Sequence, residues 1–145
     1  MFVKTILDEK GPKLIRVSQA DSIRDVARLF KLERIGFAVV EDVAHEPVGS
    51  ISERDIIQAF AEGGDLDALK IADVMTGSLV TVGPEDTVET VQEIMTERRT
   101  RHVLVEDDGK LGGIVSIGDV IKHSLDQCRI DTGNMRDYIG GKGYQ

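Results

Sequence analysis

The chain carries one sequence pattern twice, and this internal repeat restricts its fold more than any other feature. When the sequence is shifted by 65 residues, the segment 17–30 falls on the segment 82–95 with matching apolar and acidic positions. At a shift of 64 residues, the segment 49–57 falls on the segment 113–121, so the copies differ by one residue within a polar loop. Loops tolerate such changes in length. Blocks that align in the same order indicate a duplicated structural unit.

Each copy predicts the same order of elements, β-α-β-β-α. The first helix of each copy has apolar residues at helical spacing and follows an Asp-Ser or Asp-Thr start signal. These positions are Ile23, Val26, Ala27 and Phe30 in the first copy, and Val88, Val91 and Met95, with Gln92 as a polar exception, in the second. Short apolar runs bounded by turn residues predict strands. The predicted strands are 14–17, 37–40, 48–51, 79–82, 102–105 and 113–115, and the second helices are 52–61 and 116 to about 127.

The repeat divides the chain into three parts. We expect the first copy in residues 1–64, led by the segment 3–9, the second copy in residues 65–129, led by a helix at 71–75, and a C-terminal tail in residues 130–145. A unit of about 60 residues buries little apolar surface by itself. The predicted fold class is therefore α/β (α+β), with the two sheets packed against each other across a pseudo-twofold axis, helices outside, and clefts between the copies.

Composition excludes several classes of function. A net charge of −8 argues against nucleic acid and anionic membranes as partners, because both require a basic surface. The single cysteine, Cys128, cannot form an internal disulfide, which fits a reducing compartment. The segment Met1–Gly11 has neither the pattern of a signal peptide nor that of a membrane span. These features predict a cytoplasmic protein.

Both copies place the motif Gly-x-x-Ser-x-x-Asp where a strand meets a helix, at residues 49–55 and 113–119. A Ser followed three residues later by an acid forms a capping box, which can do no more than start a helix. The same arrangement suits a ligand, because a helix N-terminus presents free N–H groups to an anion and a carboxylate can accept hydrogen bonds from both ribose hydroxyls. The two interpretations are compatible, and the repetition of the motif favours ligand binding.

The second copy carries the segments that relate the chain to a known family: Val82-Gly-Pro-Glu-Asp-Thr-Val88, Arg101-His-Val-Leu-Val105 and Gly113-Ile-Val-Ser-Ile-Gly-Asp119. From Val3 to about Leu125 the chain resembles the CBS-domain family, named after cystathionine β-synthase. It is similar to small stand-alone bacterial members with a Tyr-Ile-Gly tail, here residues 138–140. The resemblance implies a signal-transduction module, a pair of CBS domains that forms a homodimer, binds adenine nucleotides between its repeats and acts on a partner protein.

The resemblance also implies roles for individual residues. Asp119 and Ser116 would hold the ribose and the neighbouring phosphate of one site, and Asp55 and Ser52 would serve the other site. The adenine would meet main-chain groups of the strands that open each copy, at Thr81 and Val82 in the second copy and at 15–17, including Val17, in the first. The positions that match phosphate contacts are Arg101, His102 and Arg54.

A basic cluster distinguishes the second copy from the first. Arg98 and Arg99 suit a helix C-terminus, which favours cations. Arg101 and His102 belong to the next strand, where that explanation does not apply, and the first copy has Gly36 and Phe37 at the corresponding positions. The sequence therefore predicts two unequal sites, with the dominant one in the second copy.

Among ligands, we expect AMP first, with ADP, ATP or NAD as alternatives and S-adenosylmethionine as a further ligand of the family. No spacing of His45, His123 and Cys128 resembles a zinc site, and no catalytic group or catalytic cofactor is predicted. An enzyme acting on nucleotides is the least supported function, since no nucleophile, base and oxyanion donors assemble. A dimerisation scaffold with degenerate ligand sites remains the alternative to a sensing module.

Overall fold

A computed structural model describes residues 1–11 and 13–139, with side chains up to Gly133. The helices are α1 (Val3–Lys10), α2 (Ile23–Glu33), α3 (Glu53–Ala61), α4 (Ile71–Val74), α5 (Val88–Arg98) and α6 (Ile117–Ile139). The strands are β1 (Arg16–Ser18), β2 (Phe37–Glu41), β3 (Pro47–Ser52), β4 (Thr81–Val82), β5 (His102–Asp107) and β6 (Lys110–Ser116). The order β-α-β-β-α occurs twice, which confirms the predicted mixed α/β class and its duplication.

Each copy forms its own three-stranded sheet, in the orders β1-β2-β3 and β4-β5-β6. In the first sheet β1 runs parallel to β2, and β2 runs antiparallel to β3. In the second sheet β5 and β6 are likewise antiparallel. Both hairpins have an irregularity at equivalent positions, between Val40 and Glu41 and between Val105 and Glu106. A shared irregularity of this kind supports a common origin for the two copies, since bulges are conserved within families.

The helices α2 and α5 begin and end in the same way. Ser22 caps α2 and Thr87 caps α5, each accepting a hydrogen bond from a backbone N–H one turn later. Each helix ends at an arginine in the left-handed conformation, Arg34 with φ 55° and Arg99 with φ 52°. The apolar faces are buried as predicted, through Ile23, Val26 and Phe30 on α2 and Val88, Val91 and Met95 on α5. The sequence pattern therefore located both helices correctly.

The described residues divide into two compact units, one containing residues 13–81 and the other residues 1–11 with 82–139. The leader α1 thus lies in the unit of the second copy, where Phe2 forms an isolated bridge with Thr87. The short helix α4 lies in the unit of the first copy, where Lys70 bridges Ser22. From the sequence, α1 is expected with the first copy and α4 with the second. In the structure α1 packs with the second copy and α4 with the first.

Equivalent hydrogen bonds hold the two leaders. The N–H of Val3 donates to the carbonyl of Asp86 at 2.9 Å, and the N–H of Ile71 donates to the carbonyl of Asp21 at 2.8 Å. Val3 and Ile71 are both 0% exposed. Burial of one leader side chain in each unit removes apolar surface from water and so stabilises the observed placement.

The last helix is longer than the sequence predicts. α6 continues from Ile117 to Ile139, whereas the sequence predicts an end near Gln127 and, from residue 130, a tail with one or two helical turns around Met135–Ile139. Between residues 128 and 139 there is no proline, and one interior glycine, Gly133, costs a helix only about 1 kcal/mol relative to alanine. The glycine-rich end, Gly140–Gln145, lies outside the described residues. Within the part of the chain that is described, no helix is both long enough and apolar enough to cross a membrane.

Candidate functional site

The Gly-x-x-Ser-x-x-Asp motif forms the same capping box in both copies. The N–H and the hydroxyl of Ser52 both donate to Asp55 Oδ2, at 2.9 and 3.1 Å, and the N–H of Asp55 donates back to Ser52 Oγ at 3.4 Å. In the second copy the corresponding distances between Ser116 and Asp119 are 2.8, 3.0 and 3.2 Å. The capping-box interpretation is therefore confirmed. The box also fixes both carboxylates at the first turn of α3 and α6.

The glycine of the motif makes room for a leader segment. A Cβ atom on Gly49 would collide with the carbonyl oxygen of Thr76, and Thr76 exchanges two backbone hydrogen bonds of 2.9 Å with Ser50. A Cβ atom on Gly113 would lie 2.8 Å from Cδ2 of Leu7, on α1. Both glycines thus permit the close approach of the chain that carries a leader, which brings leader residues next to each capping box.

The two carboxylates meet different groups from these leaders. Nζ of Lys10, at the end of α1, lies 2.7 Å from Asp119 Oδ2 and 2.9 Å from the carbonyl oxygen of Ile114. The Lys10 and Asp119 side chains are 30% and 22% exposed, so this ion pair is partly shielded from water. In the first copy the hydroxyl of Thr76 donates to Asp55 Oδ1 at 3.4 Å. One carboxylate therefore has a cationic neighbour where the other has a neutral hydroxyl.

Asp119 is ionised well below neutral pH. Burial by itself would raise the pKa of its carboxyl group. The hydrogen bonds from Lys10 and Ser116, together with the positive charge of Lys10, outweigh burial and lower the pKa of Asp119 below its ordinary value. The site thus presents a fixed negative charge, with donors already directed at one of its oxygens.

Arg101 and His102 lie beside the second capping box. His102 is the cross-strand partner of Ser116, and the N–H of Ile117 donates to the carbonyl of Arg101 at 2.8 Å. Burial of the ring, and then the charges of Lys10 and Arg101, lower the pKa of His102 to about 4, against an opposing effect of Asp119. His102 is therefore neutral at neutral pH. The positive charge next to Asp119 comes from Lys10, and Arg101 adds positive charge beside His102.

The first copy has a negatively charged side chain, that of Glu53, beside Gly36, the counterpart of Arg101. Phe37 pairs with Ser52, and the N–H of Glu53 donates to the carbonyl of Gly36 at 3.0 Å. A Cβ atom on Gly36 would collide with the carboxyl group of Glu53. The counterparts of Gly36 and Glu53 in the second copy are Arg101 and Ile117. The first copy thus has a carboxyl group beside Gly36, where the second copy has the exposed residue Arg101 and the uncharged Ile117.

The other predicted site residues lie on edge strands and on α3. Val17 in β1 and Val82 in β4 are 6% and 5% exposed, and Thr81 is half-buried. β1 and β4 are edge strands of their sheets, and an edge strand presents backbone N–H and C=O groups on its open side. Arg54 is exposed in the first turn of α3. The structure thus brings Arg101, His102, Ser116 and Asp119 together in the second copy, and Ser52 and Asp55 together in the first.

The sequence did not indicate Lys10 as part of the site. Its position near the end of the leader carries no motif, and the sequence pattern assigns this leader to the first copy. Only the packing of α1 with the second copy brings this ammonium group to Asp119. The one clue in the sequence was the glycine of the shared Gly-x-x-Ser-x-x-Asp motif, which permits another segment of the chain to approach closely.

Metal ligands do not cluster in the described part of the chain. No group of three or more His, Cys, Asp or Glu side chains there is placed to hold a metal ion. Cys128 is a free and exposed thiol on α6.

Curated relatives match most of this chain. A mitochondrial CBS-domain-containing protein of Arabidopsis thaliana is 32% identical over 129 residues, which is 86% of this chain and 62% of the relative. A protein of Methanocaldococcus jannaschii is 33% identical over 113 residues, covering 76% of this chain and 61% of the relative. The chain thus spans about three fifths of the length of these two relatives.

Solved structures match over nearly their whole length. A CBS-domain-containing protein from Agrobacterium tumefaciens is 38% identical, with a TM-score of 0.81 over 83% of this chain and 91% of that one. A CBS domain protein from Pyrobaculum aerophilum, solved in complex with AMP, is 33% identical, with a TM-score of 0.73 over 82% and 89%. A CBS domain pair solved with 5′-methylthioadenosine and S-adenosyl-L-methionine is 26% identical, with a TM-score of 0.74 over 84% and 98%.

The family model of the CBS domain matches the chain twice, over residues 6–62 and 71–126. The two matches follow the duplication seen in the sequence and in the two sheets, and together they cover more than half of the chain. The chain therefore belongs to the CBS-domain family and carries a pair of CBS domains.

Proposed function

We propose that the chain is a regulatory module that binds an adenine nucleotide, AMP in the first place and ADP, ATP or NAD as alternatives, and passes the binding event to a partner protein. The observation that carries the proposal is the ionised Asp119, held in a capping box at a helix N-terminus beside Lys10, with Arg101 next to His102. A carboxylate and cations in one place suit the ribose and phosphate of a nucleotide.

Ribose would bind at the capping-box carboxylates. Two adjacent hydroxyls can donate to one carboxylate, and such charge-assisted hydrogen bonds are the strong ones. Asp119 and Ser116 would serve the second copy, and Asp55 and Ser52 the first. Because the pKa of Asp119 is lowered, its carboxylate is in the accepting form at neutral pH.

Phosphate would favour the second copy over the first. Lys10 supplies positive charge at Asp119, and Arg101 supplies it at His102. A neutral His102 can still donate a hydrogen bond. At the first copy the Glu53 carboxyl group beside Gly36 would repel a phosphate, although Arg54 in the same turn carries a compensating charge. We therefore propose two unequal sites, of which the one at Asp119 dominates.

Adenine would be recognised by main-chain groups. Val82 and Val17 are buried, so their side chains have little surface to offer a ligand. The open sides of the edge strands β4 and β1 carry the N–H and C=O groups that a purine edge requires. Thr81, half-buried at the start of β4, would complete the adenine contacts of the second copy.

The ligands of related structures support the adenosine part of this proposal. One related structure is described with AMP, and another with 5′-methylthioadenosine and S-adenosyl-L-methionine. Adenine and ribose are common to all three molecules, whereas the 5′ substituent differs. We propose that this chain likewise recognises adenine and ribose and acts by binding rather than by catalysis.

We also propose that the chain forms a homodimer through its second helices. Large apolar side chains are exposed on both helices, namely Ile57 and Phe60 on α3 and Ile117, Ile121 and Leu125 on α6. Ile57 and Ile121 occupy equivalent positions in the two copies. On each helix, large exposed apolar side chains of this kind mark interaction sites. The cytoplasm is the proposed compartment, because the lone cysteine fits a reducing environment.

A dimerisation scaffold with degenerate ligand sites is the second candidate. One observation favours it: the carboxylate that would hold ribose already accepts a hydrogen bond from Lys10. In a scaffold this ion pair would be a permanent link between α1 and α6, and added nucleotide would change nothing.

Isothermal titration decides between the two functions. AMP, ADP, ATP, NAD and S-adenosylmethionine are titrated into the wild type, into Asp119→Asn and into the matched variant Asp55→Asn. We expect AMP to bind the wild type, and its Kd to rise about tenfold or more in Asp119→Asn, the equivalent of about 1.4 kcal/mol, with a smaller rise in Asp55→Asn. Thermal melting checks that both variants are folded. If none of these ligands binds the wild type at millimolar concentration, the scaffold is correct.

A further inference from the structure

We propose that Lys10 makes the Asp119 site selective for ligands that carry a phosphate over nucleosides that carry none. This inference rests on the proposed function and adds a residue outside the duplicated motif. It follows from the ion pair between the end of α1 and the start of α6, for which the repeat provides no equivalent at Asp55.

The ammonium group of Lys10 stands where a ribose would bind. It donates to Asp119 Oδ2 at 2.7 Å, the same oxygen that accepts from the N–H and hydroxyl of Ser116. A ribose that bonds to the carboxylate has to share this oxygen with Lys10 or displace it. Ligand binding therefore weakens an ion pair that exists in the free protein.

The cost of weakening the pair depends on the charge that the ligand brings. The Lys10 side chain is only 30% exposed, so water compensates its ammonium group incompletely when the carboxylate is taken up by ribose. Arg101 nearby adds like charge, and His102 is neutral. A phosphate on the same ligand gives the Lys10 ammonium group a negative partner in place of the Asp119 carboxylate, whereas an uncharged nucleoside does not.

The Lys10 side chain has room to change conformation when a ligand binds. It borders a cavity of about 130 Å³ between α1 and α6, which Asp119, Lys122 and His123 also line. The lysine stem is flexible, so its ammonium group can turn from the carboxylate to a nearby phosphate without repacking the buried residues of α1. Lys122 adds a second positive charge to the lining, which also contains the carboxyl groups of Glu9 and Asp126.

The first copy provides an internal comparison. There the leader segment offers the hydroxyl of Thr76 to Asp55 Oδ1, at 3.4 Å. A ribose that displaces a neutral hydroxyl leaves no uncompensated charge. We therefore expect no selection for phosphate by the leader at that site.

The experiment compares AMP with adenosine, which differ only in the 5′-phosphate. Dissociation constants for both are measured by titration calorimetry on the wild type, Lys10→Met, Lys10→Arg and Lys4→Met. Lys4 is the matched control, because it lies on the same helix and pairs with Glu85 at 2.9 Å, away from Asp119. The wild type should bind AMP at least about tenfold more tightly than adenosine. In Lys10→Met that ratio should fall to about threefold or less, with AMP weakened and adenosine unchanged or improved.

The other variants separate selection from a structural role. Lys10→Arg should restore most of the preference for AMP, and Lys4→Met should keep the wild-type ratio even if it melts at a lower temperature. A ratio in Lys10→Met equal to that of the wild type overturns the inference while leaving nucleotide binding intact. Absence of binding by both ligands to the wild type overturns the proposed function and the inference together.

Discussion

Nζ of Lys10 lies 2.7 Å from Oδ2 of Asp119, although 109 positions separate the two residues in the chain. This ion pair joins the end of the leader α1 to the first turn of α6, next to the capping box of the second copy. It places a cation, a carboxylate and the ring of His102 in one partly buried cluster. The pKa of His102 therefore depends on the charges of Lys10 and Asp119.

The first prediction concerns stability at acidic pH. The folded chain holds the pKa of His102 near 4, whereas an unfolded chain has the ordinary value of 6.5. Between these values the unfolded state binds more protons, so stability due to His102 is present above pH 6.5 and is lost as the pH falls towards 4. His102→Gln should consequently show a shallower loss of melting temperature over this range than the wild type.

Two measurements check this assignment. NMR titration of the His102 ring in the wild type should show no protonation down to about pH 5, and in Lys10→Met its pKa should rise, because one of the two positive neighbours is gone. Equal slopes of melting temperature against pH in the wild type and His102→Gln would contradict the prediction.

The second prediction concerns the two motif glycines. Gly49→Ala directs a methyl group at the carbonyl oxygen of Thr76, which is held by two backbone hydrogen bonds to Ser50. Gly113→Ala directs a methyl group at the end of the Leu7 side chain, which can turn away. We expect Gly49→Ala to lose about 2 kcal/mol of unfolding free energy, within the usual cost of overpacking, and Gly113→Ala distinctly less. Urea denaturation measures both, and equal losses would show that the two contacts are equally rigid.

The third prediction tests whether α1 stabilises the second copy and α4 the first, as their packing indicates. Ile71→Ala removes a fully buried side chain from the unit of the first copy and should cost about 2–5 kcal/mol. Val3→Ala removes a smaller buried side chain from the unit of the second copy. Hydrogen exchange should accelerate first in α2 for Ile71→Ala and first in α5 for Val3→Ala. The reverse pattern would mean that each leader stabilises the copy that follows it in the sequence.

The fourth prediction concerns the proposed homodimer. Ile121 on α6 is 52% exposed, and a lysine there would place a charge in the proposed apolar interface. Ile121→Lys should therefore shift sedimentation from dimer towards monomer. Val43→Lys is the control, because Val43 is 92% exposed in the turn between β2 and β3 and lies outside the proposed interface. A wild type that sediments as a monomer at all concentrations would refute the homodimer.

Local patterns predicted most of the fold. Helices α2 and α5 follow from apolar spacing together with the caps Ser22 and Thr87, and the capping boxes follow from Ser and Asp three residues apart. The two partners of each cap or capping-box hydrogen bond lie three positions apart, so a short stretch of the sequence contains both of them. The end of α6 was misplaced because glycine only weakens a helix, and no proline marks a stop before Ile139.

The sequence by itself determined the duplication, the order of elements and the two Ser-x-x-Asp pairs, because these depend on neighbours within one copy. Only the tertiary structure decided that each leader packs with the other copy, and hence that Lys10 meets Asp119 while Thr76 meets Asp55. Both copies offer an apolar groove to a leader, and the sequence does not say which leader fills which groove. In the structure Val3 is buried in the unit of the second copy and Ile71 in the unit of the first, and this packing decides which group lies beside each candidate ribose carboxylate.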